Sequence, residues 1–93
     1  MARKPIVVST LHISARVAEK LGNERHKLDP EEVRAAIEGV RGLTYRPHVH
    51  PERGFRILIQ TVVGDIRVRV VLYPSRSGND EEWHLGSAYP HRS

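Results

Sequence analysis

The sequence predicts an α+β domain: two N-terminal helices packed on one face of a four-stranded antiparallel meander sheet. Three observations lead there. Apolar residues recur every three or four positions up to Gly42 and at alternate positions after it. Two strongly alternating segments are separated only by Gly64-Asp65, the length of a tight hairpin loop. Helices also come first and strands after, whereas βαβ chains interleave them. The 93 residues suit one unit spanning 1–93. A chain of this size buries only about 60–65% of the surface its unfolded form exposes, so one modest core is expected.

Residues 9–21, STLHISARVAEKL, are expected to form the first helix. Ser9 or Thr10 can cap it, Leu11, Ala15, Ala18 and Leu21 share one face, and Gly22 supplies the stop. His12 and Arg16 then lie side by side at i, i+4, off the apolar stripe. The second helix is placed at 30–41. Asp29 is its N-cap, Pro30 its first residue and Glu32 its third, and Val33, Ala36, Ile37 and Val40 make the buried face.

Strands follow at about 43–49, 55–63, 66–73 and 83–89. Pro47 argues that the first of these sits at an edge or breaks there. HPERG and PSRSGNDEE are the connections. Pairing Val63 with Ile66 sets Val62 opposite Arg67, Gln60 opposite Arg69 and Arg56 opposite Tyr73. Phe55, Ile57, Ile59, Ile66, Val68, Val70 and Leu72 then share the face that the helices must cover. Arg56, Gln60, Arg67, Arg69 and Tyr73 share the other, with Leu58, Val62 and Val71 between them. A slip of one residue would exchange the two faces, so the burial pattern fixes the register.

The formal charge is +4 with a pI near 10.0, and arginine dominates the basic residues. Guanidinium forks suit phosphate oxygens, so the charge points to a polyanion or an acidic partner. Six histidines add groups that exchange protons near neutral pH. With no cysteine there is no disulfide framework, thiolate zinc site or thiol nucleophile. The apolar run Ile6-Val7-Val8 is too short for a signal peptide or a spanning helix, so a cytoplasmic protein without membrane attachment is expected.

The arginine-bearing face is read as a nucleic-acid surface, which Arg46, His50 and Arg53 extend from the first strand and its turn. A solvated sheet face is the ordinary alternative. Lysine and glutamate would serve that purpose equally, yet no acid lies between Phe55 and Gly64. His12 could be a proton-transfer base with Arg16 as its electrostatic companion, or simply a solvated helix residue. His48 and His50 share a strand face, but a third ligand at suitable spacing is missing, so no metal is expected. Ser87 and Tyr89 share a face of the last strand and could donate to a phosphoryl oxygen. Alternation puts Trp83 and Leu85 on that same face, which would instead draw both into the core edge. Ser87 has neither a G-x-S-x-G turn nor a nearby acid, so a nucleophilic role does not suit it.

An early helical histidine, a second helix, an arginine-bearing meander and the closing Gly86-Ser87-Ala88-Tyr89-Pro90 together resemble small bacterial ribonuclease toxins. The group is the broad barnase/EndoU/colicin/RelE-like one. GSAYP is similar to the TAYP ending of EndoU-like and RNase A-like toxin domains, and the element order to RelE/ParE-type and BrnT-type toxins. The resemblance implies cofactor-free RNA cleavage, in which the ribose 2′-OH is deprotonated and attacks the adjacent phosphorus. It carries His12 into the role of base, Arg16 or Arg56 into that of phosphorane stabiliser, and Ser87 and Tyr89 into that of donors. The second catalytic histidine of EndoU-type enzymes has no clear counterpart, though His50 could be recruited. The resemblance also implies RNA as substrate and an acidic antitoxin or immunity protein as partner, for a stand-alone toxin. The alternative is a non-catalytic RelE/ParE-like toxin or nucleic-acid-binding module. A regulatory or immunity-type partner protein is a third reading, against which the basic pI argues.

Overall fold

The alternating segments become strands in the computed structural model, which describes residues 6–22 and 28–90. The described elements are β1 (Thr10–His12), α1 (Ala15–Leu21), α2 (Pro30–Ile37), β2 (Thr44–His50), β3 (Gly54–Val63), β4 (Ile66–Pro74) and β5 (Glu82–Pro90). They form one five-stranded sheet in the order β1-β5-β4-β3-β2. The α+β class stands, but the four-stranded antiparallel meander does not: β1 is a fifth strand, and it runs parallel to β5.

The correction comes from residues 10–12, which pair with Glu82, Trp83 and His84 and do not open a helix. Leu11 fits both periodicities, and tertiary contacts decide between them. Its side chain is fully buried, its N–H donates to Glu38 Oε2 at 3.0 Å, and its carbonyl accepts from Arg34 Nη1. Val8 O accepts from Gly39 N–H at 2.7 Å, extending this clasp along the outer edge of β1. The helix begins only at Ala15, where Ser14, in extended conformation, accepts Val17 N–H through its side chain. His12 is therefore a strand residue, and the helical i, i+4 pairing with Arg16 does not exist. α2 starts as expected, with the Asp29 carboxylate accepting Glu31 N–H at 2.9 Å and Pro30 as first residue. It ends at Ile37 rather than 41, because Glu38 turns extended and Gly39 takes a φ of 75° to reach Val8.

The β3–β4 hairpin has the expected register, with Val63 on Ile66, Val62 on Arg67 and Gln60 on Arg69. Ile57, Ile59, Val68, Val70 and Leu72 are buried together with Val33 and Ile37 of α2. Phe55 and Ile66, assigned to the same face, remain 47% and 44% exposed. α2 has 8 residues and β3 has 10. At about 1.5 Å per helical residue against about 3.3 Å per strand residue, the helix is too short to cover the strand ends. α1 does not lie wholly on the core side either. Leu21 and Val17 join the core, while Arg16, Val17 and Lys20 also wall a cleft with Tyr73 and Gly86.

β5 carries a bulge. Leu85 pairs with Leu72 and Ser87 with Val71, leaving Gly86 as the extra residue. The bulge reverses which side chains face inward, so Trp83, Leu85 and Ala88 are buried while Ser87 and Tyr89 join the outer face. The core-edge alternative for that pair is thereby removed.

Two substitutions probe these supports. Ile59→Ala should lower unfolding free energy by about 2–5 kcal/mol through lost burial and a residual cavity. Arg34→Ala strips the Leu11 carbonyl and Glu38 of a partner and should cost about 1–3 kcal/mol. Urea midpoints at unchanged m-value measure both. An undiminished midpoint for Arg34→Ala would mean the clasp on β1 contributes nothing.

Candidate functional site

The outer face is organised in rows that cross the strands. One row spans the whole sheet: His12 on β1, His84 on β5, Tyr73 on β4, Arg56 on β3 and His48 on β2. His12 pairs with His84, His84 with Tyr73, and Arg56 with His48. Arg56 links the two halves, with Nε donating to His48 Nδ1 at 3.1 Å and Nη1 to the Tyr73 hydroxyl at 3.3 Å. His48 Nδ1 must therefore carry a lone pair, which fixes its proton on Nε2.

Tyr73 is the centre of this row. Burial works to raise its pKa, but hydrogen bonds from Arg56 and Arg53 and the charge of both guanidiniums outweigh that, and the net effect is a lowered value. Its ring lies across Gly86. A Cβ at that glycine would stand 2.3 Å from Tyr73 Cε2, so any other residue would push the ring away. Beside it lies a cleft of about 320 Å³ lined by Arg16, Val17, Lys20, Arg53, Tyr73 and Gly86. Three cations and a phenol converge there, and none of these lining residues is acidic.

At the β1 end of the row, the rings of His12 and His84 stack with centroids 4.8 Å apart. His12 Nε2 meets Glu82 Oε1 at 2.6 Å. The Glu82 carboxyl is held below its usual range, first by that hydrogen bond and then by Ser77. An ionised carboxylate only accepts, so His12 presents Nε2–H to it. Ser75 and Ser77 hydroxyls also donate to Glu82, at 3.3 and 2.9 Å.

The sheet does not gather the expected catalytic residues into one place. Arg56 belongs to the Tyr73 row, and Arg16 lines the adjoining cleft. Ser87 and Tyr89 lie further along β5, opposite Val71 and Arg69. Tyr89 pairs with Arg69, four residues along β4 from the Tyr73 that faces His84, roughly 13 Å at strand spacing, so His12 is remote from Tyr89. Of the expected nucleic-acid residues, Arg53 and Tyr73 form the cleft, and Arg46, Gln60 and Arg69 line a second hollow of about 190 Å³. Arg67 stands beyond them, opposite Val62. His50 has a local task, its Nδ1 accepting the N–H groups of Glu52 and Arg53 at 3.1 Å each and so shaping the β2–β3 turn.

The sequence reading missed Lys20, His84, Glu82 and Gly86 as site residues. Lys20 follows Arg16 by four positions, a spacing that signals one helix face. His84 and Glu82 become meaningful only through their pairing with β1, and Gly86 only through the bulge. His26 and His91 lie outside the described residues. Among the described residues, no cluster of three or more histidine, aspartate or glutamate residues could hold a metal ion, and no helix is long and apolar enough to cross a membrane.

Ultraviolet titration should find the Tyr73 phenol, isolated by difference against Tyr73→Phe, ionising below the ordinary tyrosine value of 10.0. Arg56→Ala should raise its midpoint. Gly86→Ala should do the same by displacing the ring, at about 1–3 kcal/mol of stability from overpacking. A wild-type midpoint at or above the ordinary value would mean burial outweighs the guanidiniums.

Compared with protein-family models, curated proteins and solved structures, this chain finds no match.

Proposed function

We propose that this protein is a metal-independent endoribonuclease whose reaction centre is the Tyr73 cleft and the histidine pair beside it. The observation that carries the reading is the cleft itself, where Arg16, Lys20 and Arg53 converge on an acidified phenol in register with an exposed imidazole. Such a set matches what cleavage by an internal hydroxyl requires: an imidazole base and fixed donors around phosphorus. The stacked His12–His84 pair supplies the base, with Glu82 fixing the His12 tautomer and His84 standing next to Tyr73. The base removes the ribose 2′-OH proton, the oxygen attacks phosphorus, and the bond to the 5′-oxygen breaks to leave a 2′,3′-cyclic phosphate. Arg53 and Arg56 stabilise the phosphorane charge, and the Tyr73 phenol gives its proton to the departing 5′-oxygen. Arg16 and Lys20 hold the same phosphate from the helix side. An RNA substrate, a cytoplasmic setting and an acidic antitoxin covering the cationic face complete the proposal, in keeping with the toxin resemblance.

A binding module that does not cut is the competing reading. It is favoured by one observation: Ser87 and Tyr89, the donors of the toxin-like ending, lie away from the histidines. Incubation with total RNA in EDTA separates the two. Cleavage to 2′,3′-cyclic phosphate ends is expected, with Tyr73→Phe or His84→Ala slowing it about 10²–10⁴-fold and Arg56→Ala about 10²–10³-fold. RNA retained but left intact would establish the binding module. Cleavage unaffected by all three variants would move the centre elsewhere.

A further inference from the structure

Four residues beyond the Tyr73 row, the outer face has a second hollow that the cleavage chemistry does not use. It is lined by Thr44, Arg46, Leu58, Gln60 and Arg69, with Tyr45 at its margin. Thr44 pairs with Gln60 and Arg46 with Leu58 across β2 and β3, and Gln60 pairs with Arg69 across β3 and β4. The composition is that of a nucleotide seat rather than of a simple anion site. Two guanidiniums can take phosphate oxygens, a carboxamide can meet the edge of a base, and an aliphatic floor can meet its face. Val62 sits two residues past Gln60 and is 56% exposed, adding apolar surface beside the hollow.

We infer that this hollow is a second nucleotide seat, occupied by an unpaired nucleotide of the strand whose phosphate lies in the Tyr73 cleft, so that the preferred ligand is single-stranded RNA of several nucleotides. The inference rests on the RNA reading above and adds to it length and strandedness. The distance supports it. Four residues at strand spacing separate the rows by about 13 Å. A stacked strand advances about 3.4 Å per nucleotide and covers that gap in roughly four steps, or fewer when stretched. A duplex presents phosphates to both positions, but its bases are already paired and stacked, leaving Gln60, Leu58 and Val62 without a partner.

The test uses the whole protein with uncleavable 2′-O-methyl oligouridylates of two and eight nucleotides, read by fluorescence anisotropy, and an eight-base-pair 2′-O-methyl duplex. The octamer should bind at least tenfold more tightly than the dinucleotide and than the duplex. Arg46→Ala and Gln60→Glu should each reduce the octamer's advantage over the dinucleotide to less than threefold. Arg53→Ala should weaken both lengths by one common factor and keep the ratio. Arg46 and Gln60 are exposed, so neither change removes core packing. A wild-type ratio below threefold, a ratio preserved in both variants, or a duplex bound as tightly as the octamer would overturn the second seat while leaving the Tyr73 cleft standing. Failure of every oligonucleotide to bind would overturn the RNA reading, and the second seat with it.

Discussion

Between Val71 and Leu72 of β4, the neighbouring strand carries one residue more than it needs, and both faces of the sheet depend on that surplus. Up to Leu85, odd-numbered side chains of β5 enter the core. After Gly86 the even-numbered Ala88 does so, and Ser87 and Tyr89 turn outward. Without the bulge, Ser87 and Tyr89 would compete for core space and Ala88 would leave it. The same residue must lack a Cβ, because the Tyr73 ring occupies the space above it. A single glycine therefore sets the strand's polarity reversal and the position of the phenol. The coupling is geometric, since a bulge bends the strand and leaves one residue without a cross-strand partner, over which the Tyr73 ring can lie.

The histidine end of the Tyr73 row depends on a different support. β1 has only three residues, too few to hold a parallel pairing by its own ladder bonds. Side chains of α2 complete it, with Arg34 and Glu38 bonding the Leu11 carbonyl and N–H as a further strand would. Arg34 is also drawn toward Glu38 at 3.5 Å and Glu31 at 3.4 Å, which orients its fork. This closes the β1 edge of the sheet to outside pairing. It also carries His12 to the outer face beside His84, so a helix on the core side sets the position of an imidazole on the opposite face.

How much of this was legible in the sequence follows from how local each cause is. Asp29-Pro30 announces a helix start, and Gly64-Asp65 between alternating runs announces a hairpin, so α2, β3 and β4 and their facing were readable. The placement of Arg56, Gln60, Arg69 and Tyr73 on one face came with that register. β1 was not readable, because Thr10-Leu11-His12 has no pattern of its own and becomes a strand only by meeting residues more than seventy positions away. The bulge was hidden for a related reason: strict alternation from Trp83 predicts the wrong face for Ser87 and Tyr89, and Gly86 alone does not say that a residue goes unpaired. Missing both, the sequence reading put His12 on a helix and gave His84 no role. The cleft residues Arg16 and Arg53 were recognisable as cations, but their convergence required α1 to lie against β5.

Glu82 would oppose an anion in the proposed cleft, and its surroundings temper that opposition. It stands on the outer face diagonally from Tyr73, where cross-strand neighbours lie about 7–8 Å apart. An unshielded carboxylate at that range would oppose a phosphate in the cleft. Instead its oxygens accept from His12, Ser75 and Ser77, which spread its charge over three donors. The carboxylate is thus engaged by the histidine and the two serines, while Arg16, Lys20 and Arg53 wall the Tyr73 cleft one row away.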